Sequence, residues 1–166
     1  LHDVIITEIF CDPTPQVGLP DAEFLELHNR SNKTIDLANY ILFETSNRIL
    51  PSQIMLPGSY VIVCRAADAS LLSGFGTVVP ISSLSLTNSG ELLTLSNASG
   101  VLVDSVEYSD DWYRDNSKDD GGWTLELINP NLLCKGSANW IASVSTTGGT
   151  PGGQNSVYSN AVDTTA

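Results

Sequence analysis

The first residues that could do chemistry are acids around a loop near the start of the chain. Glu8 belongs to an apolar, strand-like run, Asp12 and Asp21 lie at the two ends of the loop that follows it, and Glu23 and Glu26 belong to the next run. If the loop folds back over the strand ends, three or four carboxylates converge in an oxygen-rich site of the kind that Ca²⁺ prefers. The alternative, which turn chemistry favours, is that the aspartates cap turns and the two strand glutamates bond backbone groups. Asp12, Asp21 and Glu23 are the predicted metal ligands here.

A second acidic stretch occupies residues 109–122. Asp115, Ser117, Asp119 and Glu126 fall at the first, third, fifth and twelfth places of a helix–loop–helix calcium loop. The sixth place, where that loop needs glycine, is Asp120, and Gly121 comes one residue late. The stretch therefore fits only a looser calcium loop, with Asp115, Asp119 and Asp120 as ligands. A solvated acidic loop is the simpler interpretation.

Three aromatic residues, Trp112, Tyr113 and Trp123, flank the second acidic stretch. Exposed together, they would stack on a sugar ring or grip a peptide, so they are the predicted ligand-binding residues. The alternative is that they cover the open end of a β-sandwich, and that is the more frequent role of such residues.

The sequence offers little for catalysis. It has two histidines, His2 and His28, no G-x-S-x-G motif, and no phosphate-binding loop, because the glycine-rich stretch 148–153 lacks the lysine and helix. Cys11, Cys64 and Cys134 lie far apart, which argues against a zinc site and leaves one disulfide open. We predict no enzyme. The rival hypothesis is a metal-assisted hydrolase that uses the opening-loop carboxylates, with His28 as the only nearby base of its type.

Short strands must position these residues. The opening runs alternate, so that Glu8 and Phe10 share one face of the first strand, and Phe24, Glu26 and His28 share one face of the second. Further strands are predicted at 59–65, in a hairpin of 91–95 with 101–108, and around 156–158. One helical turn, 68–72, is expected to be capped by Asp68.

These signals predict an all-β protein, an antiparallel β-sandwich of eight to ten strands with almost no helix. We expect a single domain over residues 1–158 and a disordered tail at 159–166.

The composition of the chain limits the classes of partner that it is expected to bind. The 166 residues carry a net charge of −12, and seven Lys and Arg cannot form a stripe that binds a phosphate backbone, so no nucleic-acid partner is expected. The apolar runs are only a few residues long, so no membrane insertion is expected either. The chain begins almost inside a strand and without Met, which is typical of a portion of a longer protein whose other domains would be its neighbours.

With these segments in place, the chain resembles a lamin tail domain, an immunoglobulin-like module, over roughly residues 4–157. The resemblance is carried by ITEIFCDP at 6–13, EFLELHN at 23–29, IDLANY at 35–40, LPGSYVIV at 56–63, LLTL at 92–95, GVLVDSV at 100–106, GWTLE at 122–126, NW at 139–140 and GTPG at 149–152. The last group is similar to the ending of bacterial members, and the chain lacks the basic balance of a nuclear lamin tail.

The resemblance implies a role rather than a reaction. Bacterial-type members resemble modules appended to secreted or surface proteins, so we expect an extracellular or cell-surface location and a non-catalytic module. Its expected ligand is a protein or a carbohydrate on a surface. Calcium is the one cofactor that the acidic loops suggest.

Overall fold

Alternating apolar residues and frequent turn signals produce an almost entirely β structure. The computed structural model describes residues 2–161. The strands are β1 (Val4–Phe10), β2 (Phe24–Asn29), β3 (Ile35–Asp36), β4 (Ile41–Phe43), β5 (Asn47–Ile49), β6 (Ile54–Met55), β7 (Tyr60–Arg65), β8 (Val78–Ile81), β9 (Leu92–Ser96), β10 (Leu102–Glu107), β11 (Leu125–Leu127) and β12 (Trp140–Ala142). The helices are α1 (Ala69–Leu72) and 3₁₀ turns at Ala66–Asp68, Asp110–Tyr113 and Leu133–Asn139.

The strands form two principal sheets. One has six strands in the order β12-β11-β1-β2-β7-β8, the other has four in the order β10-β9-β4-β5, and β3 pairs with β6 separately. The pairs are antiparallel except for β7 with β8, which run parallel. The predicted immunoglobulin-like β-sandwich is confirmed, and the predicted hairpin is β9 with β10.

The main core lies between the two sheets. Ile9, Leu25 and Leu27 from the six-stranded sheet are completely buried in one cluster with Leu42 and Leu95 of the four-stranded sheet. A second, smaller cluster contains Phe10, Phe24 and Ile62 from the opposite strand face, together with Leu72 of α1 and the loop residue Leu19. The six-stranded sheet is therefore buried on both faces, which explains why β1 reads as a continuous apolar run.

A β-bulge changes the expected alternation of β1. Ile6 lies opposite Leu27 and Glu8 lies opposite Glu26, so the register shifts by one residue at Thr7. As a result, Thr7 donates a hydrogen bond to Glu26 at 2.8 Å, although simple alternation placed Thr7 on the face opposite Glu8.

The structure corrects or limits four local predictions. Asp68 does not cap the helix through its side chain; its carboxylate pairs with Arg65 at 2.8 Å instead. The acidic stretch 109–122 contains a 3₁₀ turn. Residues 156–158 form no strand, because Ser156 and Val157 donate to the Glu126 carboxylate. Of the expected disordered tail, residues 162–166 lie outside the described residues, while Ser159 N–H donates to the Ile128 carbonyl at 2.9 Å.

Two further observations on residues 2–161 concern the state of the cysteines and the length of the helices. All three cysteines are free; Cys11 lies in the core between the sheets, Cys64 lies in the cluster on the other sheet face, and Cys134 is exposed. Within this described part of the chain, no helix has the length and apolar character needed to cross a membrane.

Candidate functional site

Three glutamates form a row across the middle of the six-stranded sheet. Glu8 of β1 lies directly opposite Glu26 of β2 on one side and Glu126 of β11 on the other. Each of the three side chains is completely buried. Directly opposed residues on neighbouring strands have Cβ atoms about 5 Å apart, so the carboxyl groups are close neighbours. We call Glu8, Glu26 and Glu126 the glutamate cluster.

A glycine-rich stretch closes over the glutamate cluster. This closing segment, residues 147–157, supplies backbone N–H donors from Thr150 to Glu8 at 2.7 Å and from Gly152 to Glu26 at 2.7 Å. Glu126 accepts from the Thr150 hydroxyl at 2.9 Å, the Ser156 hydroxyl at 2.7 Å and the Val157 N–H at 3.1 Å. The carboxylates thus replace a neighbouring strand as the acceptors for this irregular backbone.

Glycine is required where the closing segment approaches the sheet. A Cβ at Gly149 would lie 2.7 Å from Glu8 Oε1 and 2.8 Å from Leu19 Cδ1. Gly152 has φ +88°, and a Cβ there would lie 2.1 Å from the Phe75 carbonyl oxygen. These contacts explain the glycine-rich composition, which the sequence alone showed only as an irregular stretch.

Burial shifts the acidity of the cluster. Desolvation, reinforced by the charge of Glu126 and only partly offset by the hydrogen bonds from Thr150 and Thr124, raises the pKa of Glu8 to about 8. Desolvation and the charge of Glu8 raise the pKa of Glu26 well above its usual range. One oxygen, Glu8 Oε2, has no hydrogen-bond partner within residues 2–161. That oxygen is where a proton on the cluster would sit.

Asp12 is not among the residues that line the pocket shared by Asp21 and Glu23, so the first set of predicted metal ligands forms no group of three within the described chain. Glu23 accepts the Leu86 N–H at 2.9 Å, and Asp21 and Glu23 line a shallow pocket beside Arg65 and Asp68. The backbone carbonyl of Asp12 accepts the Gly122 N–H, which joins the opening loop to the second acidic stretch. Glu8 and Glu26 bond backbone groups, as the alternative to a metal site predicted, because each accepts a backbone N–H of the closing segment.

The second set lies in an exposed loop. Asp115 accepts from the Ser117 N–H and hydroxyl, which lowers the pKa of Asp115. Asp119 lines a small polar pocket with Asp110 and Asp115, while Asp120 is exposed. Across residues 2–161, no group of three or more His, Cys, Asp or Glu side chains is arranged to hold a metal ion. Calcium binding by these residues remains a prediction of the sequence.

The three predicted ligand-binding aromatics occupy different environments. Tyr113 is buried in the core, where its hydroxyl donates to the Trp123 carbonyl at 3.1 Å, so it is not available to a ligand. The Trp123 ring is covered by Lys118 Nζ at 4.4 Å. Trp112 is partly exposed and packs against Trp140, with ring centroids 6.1 Å apart. The prediction that the three aromatic residues share an exposed face is therefore wrong for Tyr113. Of the three, Trp112 lines a groove.

That groove runs along one open side of the sandwich, between β10 and the β11–β12 pair. Its volume is about 360 Å³. Its apolar lining includes Trp112, Trp140 and Leu133, and its polar lining includes His2, Asp104 and Glu107. Asp104 is anchored, because it accepts the Ile6 N–H at 2.8 Å and lies 3.3 Å from His2 Nδ1. β10 and β12 are the edge strands of their sheets, so the groove lies between two sheet edges.

Sequence reasoning missed three residues that organise this region. Glu126 was read as the last place of a calcium loop, but it binds the closing segment. Asn155 donates to the carbonyls of Thr7 and Leu127 at 2.7 and 2.9 Å, and Asp104 holds the start of the chain against β10. A usable signal existed: each cluster glutamate stands in an apolar strand run, ITEI, FLEL or TLEL.

A comparison with protein-family models supports the same fold. The model named Lamin Tail Domain matches residues 1–110, about two-thirds of the chain. The chain belongs to the lamin tail domain family. Domains of this immunoglobulin-like family are generally non-catalytic interaction modules. A comparison with curated proteins found no match.

The family match ends before two strands of this lamin tail domain begin. β11 and β12 follow residue 110, yet β11 pairs with β1 through Glu8 opposite Glu126 and Ile9 opposite Leu125. The closing segment also lies beyond the match. The part of the chain after residue 110 therefore completes the six-stranded sheet and covers it.

Proposed function

We propose that this lamin tail domain is an interaction module of a larger secreted or cell-surface protein and binds a protein segment in the groove between β10 and β12. The observation that carries the proposal is the groove itself, in which Trp112 and Trp140 lie beside the carboxylates of Asp104 and Glu107. The net charge of −12 and the resemblance to bacterial-type surface modules support the location. We propose domain boundaries at 1 and 158, because β11, β12 and the closing segment belong to the same layers.

The chemistry of the groove favours a basic, partly apolar peptide. Edge strands add an extended peptide through main-chain hydrogen bonds, and aromatic pockets hold its apolar side chains. Glu107 is exposed, so a Lys or Arg of the ligand would meet a carboxylate there. A carbohydrate is the second candidate, since the partly exposed Trp112 ring offers a face on which a sugar stacks.

Panning a random peptide library on the full chain tests the proposal. We expect enrichment of sequences that combine Lys or Arg with aliphatic or aromatic residues. Affinity for the selected peptides should fall about tenfold or more in Trp112→Ala and in Glu107→Lys. Ile49→Ser is the matched control, because Ile49 is an exposed apolar residue of β5, at the edge of the four-stranded sheet opposite β10.

Two outcomes would contradict the peptide proposal. One is binding that is equally strong in wild type and both groove variants. The other is no peptide enrichment together with a glycan-array signal that Trp112→Ala abolishes, which would favour the carbohydrate candidate.

Calcium stabilisation would use either set of predicted carboxylates, and metal-assisted hydrolysis would use those of the opening loop. Calcium binding is tested by thermal unfolding in EDTA and in millimolar Ca²⁺, with Asp21→Ala and Asp119→Ala as variants. Saturating calcium would stabilise the fold by about 2–4 kcal/mol, which shifts the melting temperature by several degrees. A shift lost in one variant locates the ion. Metal-dependent phosphodiesterase or esterase turnover lost in Asp12→Ala and Asp21→Ala would favour the hydrolase.

A further inference from the structure

The glutamate cluster is a set of buried titratable groups that peptide binding in the groove does not use. Three completely buried carboxyl groups stand in adjacent register positions, and the charged groups that act on Glu8 and Glu26 are other glutamates of the cluster. A triply ionised cluster at this depth would place three like charges together in a region of low dielectric constant.

The hydrogen bonds show where the proton is held. Five of the six carboxyl oxygens accept hydrogen bonds, from Thr7, Thr124 and the closing segment. Only Glu8 Oε2 has no partner within the described chain, although it is buried. A proton on this oxygen would remove one charge from the cluster without disturbing the hydrogen bonds that the other five oxygens accept.

Two titratable side chains lie next to the cluster on β2 and β7. Burial and the charge of Glu26 raise the pKa of Tyr60, so its phenol is neutral between pH 5 and 8. His28, two residues after Glu26, stacks on Tyr60 with ring centroids 4.2 Å apart, and burial lowers its pKa, which favours the neutral imidazole. Ile141 on β12 lies opposite Glu126.

We propose that the glutamate cluster is a pH-sensitive latch, in which one proton on the cluster keeps the closing segment in place and loss of that proton to water releases it. Release exposes the carboxylates to solvent, where they regain the acidity of ordinary glutamates. The closed segment therefore binds a proton that the open segment does not. Rising pH favours the open form.

Amide hydrogen exchange resolved by residue tests the latch in the full chain. The reporters are the Thr150 and Gly152 amides, which donate directly to Glu8 and Glu26. After division by the intrinsic exchange rate at each pH, their protection should fall by up to about tenfold per pH unit between pH 5 and pH 8. The Val63 amide of β7, in the core of the same sheet, should be more protected than both reporters at every pH, because it exchanges only when the whole domain unfolds.

Glu8→Gln is the decisive variant. Its carbonyl oxygen can accept from Thr124 and Thr150, and its amide N–H replaces the proton of Glu8, so the protection of Thr150 and Gly152 should fall less steeply with pH than in wild type. Glu23→Gln is the matched control, because Glu23 is a half-buried glutamate with a raised pKa that bonds Leu86 outside the cluster. It should behave as wild type.

Three results would overturn the latch. The first is constant protection of Thr150 and Gly152 in wild type from pH 5 to pH 8, a test that needs no variant. The second is protection of Thr150 and Gly152 equal to that of Val63 at every pH, which would show that the proton is lost only on global unfolding. The third is an unchanged pH dependence in Glu8→Gln.

Discussion

Glu126 accepts three hydrogen bonds from the closing segment, two from Thr150 and Ser156 hydroxyls and one from the Val157 N–H. A carboxylate that accepts several hydrogen bonds inside a protein is expensive to remove, because every donor then loses its acceptor. Glu8 and Glu26 show the same arrangement with fewer donors. At the scale of single residues, these acids are structural anchors as well as titratable groups.

Removing the Glu126 carboxylate should therefore destabilise the fold. We expect Glu126→Ala to lower the free energy of unfolding by about 2–4 kcal/mol, measured by urea denaturation at pH 7. Glu107→Ala, which removes an exposed glutamate of β10, should stay within about 0.5 kcal/mol of wild type. Equal effects of the two substitutions would contradict the anchoring role.

Stability should also depend on pH through Glu8. Its pKa is raised from 4.5 to about 8 in the folded chain, so between these values the folded state holds a proton that the unfolded state has released. The stabilisation is complete below pH 4.5 and is lost as pH rises through about 8, with a slope of up to about 1.4 kcal/mol per pH unit. Urea denaturation from pH 5 to 8 should show this decline in wild type and a smaller one in Glu8→Gln.

At the scale of elements, the closing segment depends on glycine for its fit. Gly149→Ala places a Cβ within 2.7 Å of Glu8 Oε1 and Thr124 Cγ2, whereas a Cβ at Gly153 meets nothing within 4 Å. We expect Gly149→Ala to lower the free energy of unfolding by about 1–3 kcal/mol. Gly153→Ala, in the same segment, should have little effect, and an equal loss in both variants would argue against close packing at Gly149.

The elements also show what a sequence can reveal. Alternation predicted β2, an apolar run after a turn predicted β7, and a glycine-containing turn predicted the β9–β10 hairpin, because all three are local signals. The bulge at Thr7 was not predictable, since it depends on how β1 pairs with β2. The closing segment lacks any regular pattern, because N–H groups of Thr150, Gly152 and Val157 bind side-chain carboxylates more than 30 positions away.

The candidate sites were predicted less well for a related reason. The sequence grouped acids by distance along the chain, and so combined Glu8 with Asp12 and Glu126 with Asp115. The sheet instead brings together Glu8, Glu26 and Glu126, one from each of three strands. Trp112 was recognised as an aromatic residue near a loop, but its partner Trp140 comes from β12, which is 28 residues away.

At the scale of the whole molecule, the two sheets and the closing segment form a single structural unit that extends beyond the family match. β11 supplies Glu126 and pairs with β1, and Asn155 bridges the carbonyls of Thr7 and Leu127. Without the closing segment, the glutamate cluster and Leu19 would lose their cover, and the outer face of the six-stranded sheet would be open to water.

Urea unfolding of a chain that ends at residue 144, compared with the full chain at pH 7, tests this central claim most directly. The truncation keeps all twelve strands but removes the closing segment. We expect the truncated chain to lose at least about 3 kcal/mol of its free energy of unfolding, or to lose cooperative unfolding altogether. An unchanged midpoint and slope would show that the fold is complete without the closing segment, and would contradict the account.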